Sequence, residues 1–247
     1  MNTLVENAKI SEYHGYERYD FYLRGHLSVI ICPNTPTDNN KWIWRAEFLG
    51  AFDQVDVAMI EKGYYLVYYS VSNMYGCPAS IVMMKEFYDF CINEMALCKK
   101  TVIFGFSRGG LYTVNFAAEY PFAVSSLYLD APVLDLKSWP GGMGTGDGSP
   151  NEFTECLKIY GLDNESIKSF NDNPIDKAGV LIENKIPVAI VAGDSDATVP
   201  HLENCGRLAE YYRTHNGVYI YILKEGCGHH PHSLTDPSPV VDFLLQH

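Results

Sequence analysis

Basic residues are scarce in this chain. Its 247 residues hold 18 Lys and Arg against 30 Asp and Glu, a net charge of −12, and without a basic face to neutralise phosphates a nucleic-acid partner is excluded. Long apolar runs are missing as well. Met1 to Ser11 mixes Asn, Glu and Lys with isolated apolar residues, and no stretch reads as a signal peptide, a membrane span or a basic amphipathic anchor, so a cytoplasmic protein without a membrane partner is expected. None of the seven cysteines forms a Cys-x-x-Cys pair, which argues for reduced thiols instead of a disulfide frame or a zinc knuckle. The glycine-rich stretch 138–148 lacks a Gly-Lys-Ser/Thr ending, so it is no phosphate cradle. Internal repeats and linkers are absent too.

What is present is a chain with 47% hydrophobic residues, enough for one large core. Apolar runs and alternation predict strands near 17–23, 26–32, 64–71, 99–104, 124–131, 186–192 and 218–223. Helical spacing falls between them at 52–62, 81–95, 111–119, 201–213 and 240–246. Residues between about 135 and 185 break this alternation: the glycine-rich loop is followed by two short helical patterns at 152–160 and 165–170. They are expected to form a cap over a substrate pocket.

The strongest motif is Gly105-Phe106-Ser107-Arg108-Gly109-Gly110, which sets a serine between glycines where a buried strand meets a helical pattern. A serine held in such a tight, strained turn needs neighbours without side chains, and Gly105 and Gly109 are expected to fill those places. Serine is a weak nucleophile near neutral pH. It needs a histidine to take its proton and a carboxylate to orient that histidine. Two later loops supply these residue types in order: Gly193-Asp194-Ser195-Asp196-Ala197-Thr198-Val199-Pro200, and Gly226-Cys227-Gly228-His229-His230-Pro231-His232. Asp194, Asp130 and Asp135 compete with Asp196 for the acid. His230 and His232 compete with His229, and three clustered histidines beside Cys227 raise a metal as a rival use.

These motifs carry a resemblance to the α/β-hydrolases from about Glu17 onward. The serine turn is similar to that family's nucleophile elbow, Gly193 to Pro200 to its Gly-x-x-Asp-x-x-Val-Pro loop, and Gly226 to His229 to its Gly-x-Gly-His loop. The resemblance implies a single α/β domain with a mainly parallel sheet, helices on both faces and the cap at about 135–185. Ser107 becomes the nucleophile, Asp196 the orienting acid and His229 the general base, with no cofactor and no metal. Trp42-Ile43-Trp44-Arg45, Ser138-Trp139-Pro140-Gly141-Gly142 and His229-His230-Pro231-His232-Ser233-Leu234 further resemble a bacterial group that includes carbohydrate esterases similar to serine-type pectin methylesterases.

An acyl-transfer site also needs two N–H donors for the developing oxyanion. The amide of Arg108 is expected to be one, and the loop after the 26–32 strand the other, with Asn34 or Trp42 as donor. Trp42, Trp44, Trp139, Arg45 and His230 are expected to line the substrate pocket, the aromatic faces suiting a sugar ring and the guanidinium an acidic group. The expected reaction is hydrolysis of a small-molecule or oligosaccharide ester, an acetyl ester or a uronate methyl ester, through an acyl-enzyme. A peptidase or amidase of the same fold, or a binding protein on a hydrolase scaffold, are the alternatives.

Overall fold

The computed structural model describes Val5 and residues 7–247; the rest of the polar opening, residues 1–4 and 6, lies outside the described residues. Nine strands form one sheet: β1 (Lys9–Tyr13), β2 (Tyr16–Leu23), β3 (His26–Cys32), β4 (Trp42–Arg45), β5 (Tyr65–Tyr69), β6 (Thr101–Phe106), β7 (Val124–Asp130), β8 (Val188–Gly193) and β9 (Tyr219–Lys224). Their spatial order is β1-β2-β3-β5-β4-β6-β7-β8-β9. The pairs β1–β2, β2–β3 and β3–β5 are antiparallel, and every pair from β5 to β9 is parallel. His14-Gly15 and Arg24-Gly25 make the first two hairpins, all four residues at positive φ, the backbone that two-residue hairpin turns require.

Helices cover both faces. On one side, α1 (Gln54–Glu61) and the C-terminal helix α7 (Ser238–Gln246) bury Val55, Met59, Val240 and Leu244 against Val29, Ile31, Val102 and Phe104. On the other, α2 (Pro78–Asn93), α3 (Gly109–Glu119), α5 (Ala178–Glu183) and α6 (Cys205–Thr214) pack on Ile30, Val67, Ile103, Leu129 and Ile190. Successive strand residues feed opposite cores, so β6 and β8 are buried along their whole length. That two-sided burial is why they read as uniform apolar runs.

The sequence reading omitted two strands, β1 and β4. The second matters for the site. Trp42–Arg45 was expected in a loop, yet all four residues are buried, and they pair with β5 on one side and β6 on the other. Being antiparallel to β5, β3 pairs Ser28 with Tyr69 and Ile31 with Leu66, so its C-terminal end lies at the start of the parallel strands. The loop that opens beside the end of β6 is therefore the one following β4.

Residues 131–187 separate β7 from β8 and contain α4 (Pro150–Tyr160), α5 and two short 3-10 turns, Ser166–Ser169 and Pro174–Lys177. The pattern at 165–170 thus gives a 3-10 turn instead of a helix. The glycine-rich loop wraps a carboxylate: Glu203 accepts hydrogen bonds from the Ser138 hydroxyl at 2.6 Å and from the Thr145 amide and hydroxyl at 2.5 and 2.6 Å. A Cβ on Gly144 would run into the Glu203 carboxylate, so a larger residue there requires that side chain to move. Asn204 ties the start of this segment down, accepting from the Leu134 and Asp135 amides and donating to Ser138 Oγ. Among the described residues, no helix is long and apolar enough to cross a membrane.

Candidate active site

Strand β6 ends at Phe106, and Ser107 follows with φ +48°, the left-handed region that costs an L-residue strain unless its surroundings enforce it. They do so through backbone bonds. The Ser107 amide donates to the Asp130 carbonyl at 2.9 Å, and the Ser107 carbonyl accepts from Gly110 at 3.0 Å and Val133 at 2.9 Å. The glycine requirement is offset from the expected pair. A Cβ on Gly105 would sit 2.6 Å from Thr113 Oγ1 and one on Gly110 2.6 Å from Pro132 Cβ, whereas one on Gly109 would meet nothing nearer than Glu47 Cβ at 3.4 Å. Gly105 and Gly110 are the sterically required glycines.

Ser107 Oγ lies 2.9 Å from His229 Nε2, and His229 Nδ1 lies 2.7 Å from Asp196 Oδ2. The other oxygen of Asp196 accepts the Thr198 and Val199 amides at 2.9 and 2.8 Å. These bonds fix the carboxylate and leave Oδ2 for the histidine. Asp196 is buried and His229 partly so, which keeps the chain of bonds away from bulk water. Asp194 instead accepts the Gly226 amide at 2.8 Å and the Ser195 hydroxyl, bracing the turn between the acid and histidine loops. Asp135 pairs with Arg207 at 3.0 Å.

Asp130 is fully buried and accepts three bonds, from Tyr128 OH, His232 Nδ1 and the Ser233 amide, each at 2.8 Å. His232 packs edge-on to the His229 ring, with centroids 4.8 Å apart. The exposed His230 stacks on Phe52 at 5.6 Å, and burial, then the neighbouring His232 and His229, hold its imidazole below the ordinary histidine value. The sequence offers Asp130 as a competing acid or as a structural partner for Arg108 or a helix terminus; its hold on His232 depends on two loops meeting, which no local motif records.

Several residues expected around the substrate lie elsewhere. Asn34 follows β3 at the far end of the sheet and cannot donate to an oxyanion at Ser107. Trp42 and Trp44 are wholly buried, stacked on each other at 5.9 Å, and Trp42 Nε1 donates to the Cys98 carbonyl; neither offers a face to a ligand. Arg45 is wholly buried too. It pairs with Asp56 at 2.6 Å, donates to the carbonyls of Glu47 and Ala51 at 3.0 and 2.6 Å, and lies 3.6 Å over the Phe106 ring. Burial pushes the Asp56 carboxyl up to about 6, with Arg45 pulling the other way. Trp139 is 7% exposed and packs beside Tyr75, so it is mainly a core residue.

Next to Ser107, the Arg108 side chain reaches Glu47 at 3.0 Å and Glu152 of α4 at 3.7 Å, clasping the helix to the loop after β4. Glu47 is buried and also accepts from Ser72 Oγ at 2.6 Å. Within that loop the Ala46 amide is bonded to the Phe104 carbonyl. The next amide, Glu47 N, lies 3.7 Å from where a Cβ on Gly109 would stand, beside the serine turn. A cleft of about 320 Å³ opens here, walled by Arg18, Val29, Glu47, Phe48, Tyr68 and Arg108 among others.

Known structures share this arrangement of strands. A puromycin-hydrolyzing peptidase of Mycobacterium tuberculosis superposes with a TM-score of 0.68 over 98% of this chain at 14% identity. Dipeptidyl peptidase 4 of Porphyromonas gingivalis gives 0.67 over 95% at 15% identity, and a puromycin hydrolase 0.67 over 96% at 17%. The chain has the α/β-hydrolase fold. It spans 38%, 36% and 37% of those three proteins, respectively. No protein-family model matches the sequence, and no curated protein does.

Proposed function

We propose that the chain is a serine hydrolase that works through an acyl-enzyme. The observation that carries this is the continuous bond path from Ser107 Oγ through His229 to Asp196, at 2.9 and 2.7 Å. His229 Nε2 takes the Ser107 proton as Oγ attacks a carbonyl carbon, then gives it to the leaving group; water repeats the sequence to release the acid. Asp196 holds the Nδ1–H tautomer and stabilises the imidazolium. The amides of Arg108 and Glu47 are the proposed oxyanion donors, Glu47 taking the place expected for Asn34.

For the substrate, a peptide or amide is the preferred reading. The similar structures are named as peptidases and puromycin hydrolases. The carbohydrate-ester expectation rested on Trp42, Trp44 and Arg45, all of which are buried. A fluorophosphonate probe tests the chemistry: labelling should map to Ser107 and vanish in Ser107→Ala and His229→Ala. Absence of labelling in folded protein overturns the mechanism. Matched anilide and ester substrates with a common acyl group then separate the classes, and turnover confined to the ester returns the esterase reading to the front.

A further inference from the structure

Three histidines meet beside the serine, and only one of them has a part in the proposed hydrolysis. Ligand nitrogens of His229, His230 and His232 all lie within 4.8 Å of one another. Their ring centroids are 4.8 to 5.0 Å apart and their planes are inclined by 69° to 89°. Tetrahedral zinc, with Zn–N bonds of about 2.0–2.1 Å, holds its imidazole rings at centroid spacings of about 5 Å. The three rings are therefore close enough for small rotations to bring one nitrogen of each to a single ion.

The outer partners fit the same use. His229 Nδ1 is bonded to Asp196 and His232 Nδ1 to Asp130, both buried carboxylates. A carboxylate on one ring nitrogen fixes the tautomer and raises the basicity of the other, the usual support of a metal-bound histidine. Two of the three ligands thus present Nε2 from oriented rings. The third, His230, is exposed, and it would give up its stacking on Phe52 to turn its ring inward. Phe52 and Phe106 pack around the group and limit the water that competes with it. Borderline-soft divalent ions with a preference for imidazole, zinc above all, suit such a donor set.

We propose that His229, His230 and His232 bind a zinc ion that reversibly switches the serine off. Coordination takes the His229 Nε2 lone pair, the same pair that would accept the Ser107 proton. With the ion bound, Ser107 keeps its proton and the nucleophile is not formed; chelation restores it. Binding is independent of the hydrolase reading, whereas the inhibitory consequence rests on it.

The test uses the purified chain, zinc or cobalt alone, and a chromophoric chelator as competitor. One zinc per chain is expected, with at least a tenfold loss of affinity in His230→Asn, a loss of the size that even an outer partner of a metal site produces, about 10–100-fold. Ser107→Ala keeps all three ligands and should bind at least as tightly. Cobalt should give tetrahedral visible absorption without the sulfur-to-cobalt band that Cys227 or another thiol would produce. Unchanged affinity in His230→Asn, or a thiolate band lost in Cys227→Ser, overturns the site. In parallel, zinc should suppress fluorophosphonate labelling and EDTA should restore it. Labelling that persists at saturating zinc overturns the switch, while zinc binding by a chain that never labels leaves the site standing and removes the hydrolase reading.

Discussion

The Asp130 carboxylate accepts the Nδ1 hydrogen of His232 at 2.8 Å, so the strand next to the one that ends at Ser107 grips the loop that carries His229. The same residue's carbonyl accepts the Ser107 amide at 2.9 Å. One buried residue thus references both the serine and the histidine to a single point on β7. In Asp130→Asn one side-chain oxygen must replace two, and either His232 or the Ser233 amide loses its acceptor. The His229 ring should then be less well placed, slowing labelling of Ser107 by up to about 100-fold, as small misplacements at reacting centres do. Labelling rates of the two proteins, with circular dichroism as the check on folding, decide it; an unchanged rate denies Asp130 a positioning role.

Asp196→Asn should leave the fold intact, since an amide oxygen can still accept the Thr198 and Val199 amides. It can no longer hold the His229 tautomer that leaves Nε2 free as a base. Turnover of whichever substrate the chain accepts should fall by about 10⁴-fold. The corresponding change at Asp194, whose bonds go to Gly226 and Ser195, should cost far less. Equal losses at the two positions would reassign the acid.

The serine turn makes a steric prediction. Gly110→Ala places a methyl 2.6 Å from Pro132 Cβ and 2.8 Å from the Val133 carbonyl, and Gly105→Ala places one 2.6 Å from Thr113 Oγ1. Each should lose about 1–3 kcal/mol, the usual cost of overpacking. Gly109→Ala meets nothing closer than 3.4 Å and starts a helix, so it should be neutral or stabilising by a few tenths of a kcal/mol. Urea midpoints of the three variants give the ranking directly.

Arg45→Met leaves Asp56 as a buried carboxylate without its partner and should cost about 3–5 kcal/mol. Asp56 also gives a pH signature. Burial raises its folded pKa to about 6 from the ordinary 3.8, so between those values the folded chain binds more protons than the unfolded one. Stability from this group therefore falls as pH rises through that window, opposite to the behaviour of a surface carboxylate with a lowered pKa. Compared with Asp56→Asn, the unsubstituted chain should lose urea resistance between about pH 4 and pH 6; parallel curves for the two would show that Asp56 does not titrate there.

The serine, acid and histidine loops were readable because each announces itself locally. Gly105 and Gly109 flank the serine, Gly193 and Pro200 bound the acid loop, and Gly228 precedes the histidine, all shortly after apolar strands. Trp42–Arg45 was not readable. A four-residue strand buried on both faces shows no alternation, and an arginine inside it looks like a solvent-facing residue until Asp56 arrives from another element. Losing that strand left Asn34, at the wrong end of the sheet, and the buried Trp42 as the expected second oxyanion donor, and made core aromatics look like a sugar platform. The role of Asp130 was hidden for a related reason: its partners His232 and Ser233 come from the far end of the chain, and the parallel order of β7, β8 and β9 brings them together.

Arg45 has a further effect on the loop it anchors. By drawing the carbonyl oxygens of Glu47 and Ala51 inward, it turns their peptide units so that oxygen faces the interior. Because a guanidinium keeps its charge across the whole working pH range, that orientation does not vary with acidity. The course of this loop is thus held by an ion that never meets solvent.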